Sequence, residues 1–259
     1  MTEITFSDPC VLFALRRESM HFRREFRSHQ RFPGAPCWAT FCGPSWLTVL
    51  VVETGMGADA ANRAVDWILS KPLLGNVPYR PKVVLSAGFA GGLDQALKVG
   101  DIILASEVCD EGGRCWPATW PEIMPPGKWE PFLHRGRLLT LSNLATTAKQ
   151  KHELAQTHNA VAVDMEAAFI ARACNKSNIP FGCLRAITDT ADTGLSTSLA
   201  DLLVGGRVSW HRFLLAMVRL PKLIREVRRL AKDSNLAADR LGKALGELLT
   251  LTIAGLEDH

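Results

Sequence analysis

Residues 82–92 read KVVLSAGFAGG. The aliphatic, β-branched run predicts a buried strand over 82–87. Gly88-Phe89-Ala90-Gly91-Gly92 predicts a glycine-rich turn that closes it and lets a ligand approach the backbone. The same grammar repeats outward. Residues 46–53, WLTVLVVE, predict a second buried strand that ends in Thr54-Gly55-Met56-Gly57, with a helix over 58–70. Upstream, 10–14 is a short apolar run leading into a charged helical pattern over 15–27. Downstream, 101–106 (DIILAS) and 181–187 (FGCLRAI) are further strands, with a strand-like run at 137–141 and a short strand at 160–163. Helices are predicted over about 146–157 and 165–176. Strands alternating with helices predict a three-layer α/β/α sandwich, with ligands at the carboxyl ends of the strands. The stretch 110–131 holds three tryptophans and five prolines and reads as a loop.

Composition narrows the class. The chain has 259 residues, 47% hydrophobic and 22% charged, which fits a folded globular protein and not a disordered one. Nothing approaches the roughly 18–20 apolar residues of a membrane span. The first residues, MTEITFSDPC, lack a basic start followed by an apolar run, so a cytoplasmic location is expected. The seven cysteines are scattered without a CxxC pair, which predicts reduced structural thiols. The histidines are dispersed as well. No metal and no cofactor are expected.

Three places carry chemistry. Val163-Asp164-Met165-Glu166-Ala167-Ala168 puts two acids at a strand-to-helix junction, where carboxylates also serve as plain helix caps. Leu184-Arg185-Ala186-Ile187-Thr188-Asp189-Thr190-Ala191-Asp192 is an apolar strand ending in an acid, either a turn residue or a partly desolvated site acid. The third is the glycine-rich stretch 88–92.

In this order, these segments resemble the nucleoside phosphorylase/nucleosidase superfamily, most closely its 5′-methylthioadenosine/S-adenosylhomocysteine nucleosidases. The resemblance runs over about 10–205, and Met165-Glu166 with Arg185–Asp189 is its specific part. It implies a central mixed sheet of the nucleoside phosphorylase type and a small-molecule nucleoside as substrate. It implies that Asp189 protonates adenine N7, that Thr188 orients the base-binding group, and that Glu166 grips the ribose hydroxyls. Met165 packs against the sugar, Arg185 neutralises and orients the sugar-side cluster, and Glu18 positions and activates water. Gly88 and Phe89 line the site. Where superfamily phosphorylases hold phosphate with an arginine and a serine, this chain has Ser86 and Phe89, which argues for hydrolysis. A purine nucleoside phosphorylase and a non-catalytic nucleoside-binding protein are the rivals. The family's base-stacking ring has no counterpart in 141–146, and Phe181 and Phe89 are the remaining candidates.

The net charge of +4 is unevenly spread. Residues 207–232 carry eight basic side chains and one acid, so this segment holds +7 and the rest of the chain −3. Apolar residues at helical spacing predict amphipathic helices there, kinked or broken at Pro221, with a second helical pattern over 236–251. The expected division is a catalytic domain over 1–206 and a basic helical segment over 207–259. The basic face is either an ordinary solvated surface or a peripheral contact with anionic lipid through 207–232. The tail also resembles hopanoid-associated members of the superfamily, which implies an adenosylated hopane lipid as substrate. A homodimer is expected, and nucleic acid is not.

Overall fold

The computed structural model describes residues 9–26, 28–32, 35–42, 48–70, 72–74, 77–119, 132–194 and 221–257. The strand predicted over 82–87 forms, but it runs further, as β7 (Val84–Gly92). The glycines at 88–92 are therefore extended sheet, not a turn. Neighbours on both sides hold them so. Strand β12 (Phe181–Asp189) pairs parallel with β7, Arg185 opposite Gly88 and Asp189 opposite Gly91. Strand β11 (Ala162–Asp164) pairs antiparallel with β7, Val163 opposite Gly91.

The remaining strands of the main sheet are β1 (Cys10–Phe13), β2 (Ser28–Arg31), β3 (Trp38–Cys42), β4 (Val49–Glu53), β8 (Ile102–Asp110), β9 (Cys115–Pro117) and β10 (Leu133–Thr140). Their order is β11-β10-β8-β12-β7-β1-β4-β3-β2, with β9 on β8, and a hairpin of β5 (Leu73–Leu74) and β6 (Val77–Pro78) stands apart. Parallel and antiparallel pairings coexist, so the sheet is mixed as expected. Because β11 pairs with both β10 and β7, five strands curl into a small closed barrel at one end. That curl brings Asp164, at the end of β11, near the end of β12.

Two apolar clusters cover the sheet's faces. Helices α2 (Ala58–Leu69) and α4 (Ala167–Lys176) bury Ala64, Ile68, Ala171 and Cys174 on one face. On the other, α1 (Arg16–Glu25) buries Phe22, and α5 (Pro221–Glu257) buries Leu241 and Leu245 in the same cluster as Val11 and Phe13. Helix α3 (Ala148–His158) lies beside the closed end. Burying large aliphatic side chains, at about 1.5–3 kcal/mol each, holds these layers together.

Helix α5 is one helix of 37 residues starting at Pro221, so the pattern after Pro221 and the one over 236–251 are continuous, while the part expected before Pro221 lies outside the described residues. A proline at the first turn lacks only an N–H that would have no partner anyway. The helix lies tightly on α1: a Cβ at Gly242 would sit 2.9 Å from the Phe22 backbone nitrogen. Arg17 ties the two together by donating to the Ala231 carbonyl (2.9 Å) and Asn235 Oδ1 (3.0 Å). Residues 207–220, and residues 120–131 of the stretch expected to be a loop, fall outside the described set, whereas β9 lies within the first part of that stretch. Among the described residues, no helix is long and apolar enough to cross a membrane.

The cysteine expectation is corrected at one place. The β8–β9 pairing sets Cys109 opposite Cys115, and the two form a disulfide. Cys10, Cys37, Cys42, Cys174 and Cys183 are free.

Candidate active site

The site lies where β7, β11 and β12 end against the first turn of α1 and the loop after β4. Its first half is lined by Glu18, Thr54, Ser86, Gly88, Phe89 and Glu166. Its second half is lined by Gly91, Leu141, Leu144, Lys151, Met165 and Asp189.

Glu18 occupies the first turn of α1, where backbone N–H groups lack helical partners. Its Oε2 accepts from the Leu15 N–H at 2.7 Å and its Oε1 from the Phe89 N–H at 2.8 Å. Gly88 makes the approach fit, since a Cβ there would stand 2.9 Å from Oε1. Burial pushes the Glu18 carboxyl up to about 7, with the Glu166 charge adding and the two N–H groups and Arg185 opposing. A carboxyl titrating there accepts or gives a proton at neutral pH.

Glu166 caps α4, and its Oε1 accepts from the Gly57 N–H at 2.8 Å. Gly57 has φ +85°, a conformation that favours glycine. Burial raises the Glu166 carboxyl above the ordinary range, and the nearby Asp164 charge adds to it. Desolvation thus raises both of these adjoining acids, Glu18 and Glu166.

Arg185 is placed differently from a direct substrate ligand. Its Nε and Nη2 donate to Asp164 Oδ2 at 3.1 and 2.6 Å. Nη1 donates to the Ser86 and Leu184 carbonyls, both at 2.9 Å, and Nη2 also donates to Ser86 Oγ at 2.8 Å. A guanidinium has five N–H donors, and these contacts use them all. Arg185 therefore orients the cluster through its charge and through Asp164. Asp164 is the residue whose role the sequence reading passed over. Its Oδ2 also accepts from the Ala167 N–H at 2.9 Å, and its Oδ1 from Thr140 Oγ1 at 2.6 Å. The acid that looked like a simple cap joins the start of α4 to β10 and β12.

Removing one partner of this buried pair is expected to be severe. Arg185→Met leaves the Asp164 carboxylate buried and unpaired, which costs about 3–5 kcal/mol. Thermal unfolding should show Tm falling by on the order of 10 °C. A Tm within about 2 °C of wild type contradicts the assigned pairing.

In the second half, Asp189 stands at the end of β12 after a register irregularity between Ile187 and Asp189. Its Oδ1 accepts from Thr188 Oγ1 at 2.9 Å, and its Oδ2 accepts from Lys151 Nζ. The Asp189 side chain is 25% exposed. So it is partly buried at the strand end and is held there by a hydroxyl and an ammonium. Met165 and the aliphatic side chains of Leu141 and Leu144 face the same space. Phe181 is buried at the opposite end of β12, about 26 Å of strand from Asp189, so it is not a stacking ring for this pocket. The Phe89 ring packs toward the core cluster of α1 and α5 while lining the first half.

With this geometry in hand, the relatives are informative. A curated 5′-methylthioadenosine/S-adenosylhomocysteine nucleosidase from Exiguobacterium sp. is 24% identical over 195 residues, covering 67% of this chain and 81% of the relative. The nucleosidase of that name from Helicobacter pylori, solved in complex with a pyrrolopyrimidine-bearing pyrrolidinol, superposes with a TM-score of 0.69 at 17% identity, over 95% of this chain and 99% of that one. Futalosine hydrolase of Helicobacter pylori gives 0.63 at 18% identity, over 93% and 98%. These likenesses establish the shared fold. The family model for the phosphorylase superfamily matches residues 37–207, so the chain belongs to the phosphorylase superfamily.

Proposed function

We propose that the chain is an N-glycosidase that releases adenine from a 5′-substituted adenosine and passes the sugar to water. The observation that carries this reading is Glu18, a buried carboxyl pushed up to about 7 and seated on the Phe89 N–H beside Glu166. In the proposed step the C1′–N9 bond breaks and its electron pair goes to the purine, which takes a proton from Asp189 at N7. The water oxygen bonds to C1′, and its proton goes to Glu18. Exchange with solvent restores both acids. Glu166 holds the ribose hydroxyls, and Met165 packs against the sugar.

Phosphate fits this site poorly. The Phe89 N–H, the donor an oxyanion would meet, is taken by Glu18. Arg185 has no N–H to spare. An anion placed there would face Glu18 and Glu166, and like charges in a desolvated site repel strongly.

The names of the relatives support methylthioadenosine or adenosylhomocysteine as substrate. The +7 charge of residues 207–232, with Trp120 and Trp129 in the sequence, supports a greasier 5′-group, an adenosylated hopane lipid met at a membrane surface by a cytoplasmic homodimer. A substrate panel separates these. Methylthioadenosine, adenosylhomocysteine, inosine and an adenosylated lipid are incubated with the protein without phosphate, and free base is measured. Adenine from any 5′-substituted adenosine, with inosine spared, is the expected outcome. Release of hypoxanthine alone contradicts the reading.

A further inference from the structure

The second half of the site holds a charge that the glycosidase reading does not use. Lys151 is 1% exposed, a rare state for lysine. It lies in the first turn of α3, whose start is capped by Thr147 accepting from the Gln150 N–H. Its neighbour Lys149 is 87% exposed and pairs with Glu153 along the helix. Lys151 instead points to the end of β12. Its Nζ donates to Asp189 Oδ2, to the Thr190 carbonyl at 2.8 Å and to the Thr193 carbonyl at 3.1 Å. An ammonium has three N–H donors, and all three find acceptors. Desolvating an ammonium costs several kcal/mol unless it is paired this completely.

The consequence falls on Asp189. Lys151 fixes one carboxyl oxygen and the Thr188 hydroxyl meets the other. From across the pairing, Gly91 leaves just enough room, since a Cβ there would lie 3.1 Å from Oδ2. The same ammonium ties down the chain that follows, from 190 to 193. We propose that Lys151 is a positioning residue for departure of the base: it locks the Asp189 carboxyl and the 190–193 segment in the geometry that meets a purine leaving with a basic ring nitrogen. This rests on the glycosidase reading, and the test keeps the two apart.

The test compares Lys151→Met with wild type on methylthioadenosine and on its N7-methylated analogue, whose cationic purine leaves without taking a proton. For methylthioadenosine, kcat is expected to fall about 100-fold while KM moves less than about threefold. The loss on the N7-methylated analogue is expected to be at least about tenfold smaller. In an Asp189→Asn background, Lys151→Met should cost less than about threefold more, because the two act as one unit. Equal losses on both substrates, or a fully multiplicative double variant, overturn the proposal. So does a Lys151→Met enzyme as active as wild type, which leaves the glycosidase reading standing. A wild type that releases no adenine removes both. If Lys151→Met does not fold, Lys151→Gln, which keeps two donors, takes its place with the same expectations.

Discussion

Asp189→Asn is expected to lower adenine release by at least about 100-fold, with little change in KM. Asparagine matches aspartate in shape. Its amide oxygen can still accept from Lys151, so the end of β12 should keep its fold. What it lacks is the carboxyl proton. Adenine expelled without protonation departs as an anion, and the barrier rises by the whole contribution of the general acid, typically a factor of about 10²–10⁴. Steady-state kinetics with methylthioadenosine reads this directly. Full activity in Asp189→Asn would remove Asp189 from the chemistry. Unchanged ligand affinity, joined to a wild type that releases no adenine, would point to a nucleoside-binding protein.

Glu18→Gln is expected to have the other large effect, in two readouts of opposite sign. Turnover should fall by about 10²–10³-fold, because glutamine takes no proton from water. In the wild type the carboxyl must be ionised to act. With its titration at about 7, kcat/KM should fall about tenfold per pH unit below that point. Stability runs the other way. The folded-state value lies above the ordinary 4.5, so the folded protein binds this proton more tightly than the unfolded chain does. The stabilisation is fully present below about 4.5 and is lost as pH rises through about 7. The shift corresponds to about 3 kcal/mol. Glutamine does not titrate, so the stability of Glu18→Gln relative to wild type should improve by about that amount between pH 4 and pH 8. Its absolute stability gains less, because one of the Leu15 and Phe89 N–H groups then faces an amide N–H. Tm measured across that pH range for both proteins checks it. A constant difference contradicts the burial of an ionisable Glu18.

Much of this site was legible in the chain. Strand periodicity located β7 and β12, though both run past their predicted ends, and the order of the Met-Glu element before Arg185–Asp189 pointed to the chemistry. Other features depend on contacts far apart in sequence. The glycines at 88–92 read as a turn because they lack side chains for a strand. They stay extended because β11 and β12 flank them, and no local signal carries that. Strand β2, SHQR, escaped notice because it is short and polar. Strand β3, WATFC, is held by its antiparallel neighbours β2 and β4 and carries no strong local strand signal either. Lys151 reads as one more solvated lysine on an amphipathic helix. Its burial appears only when α3 docks against residues 189–193. Asp164 looked like a cap because it is one, accepting from the Ala167 N–H. Its second partner, Arg185, lies 21 residues on.

Water is the proposed acceptor of the sugar. The most direct measurement follows methylthioadenosine hydrolysis by the purified protein in phosphate-free buffer and again with added phosphate, identifying both products. Adenine is expected to be released at the same rate in the two buffers, with the free methylthio-sugar as the second product. Adenine release that requires phosphate and yields a sugar 1-phosphate would contradict it.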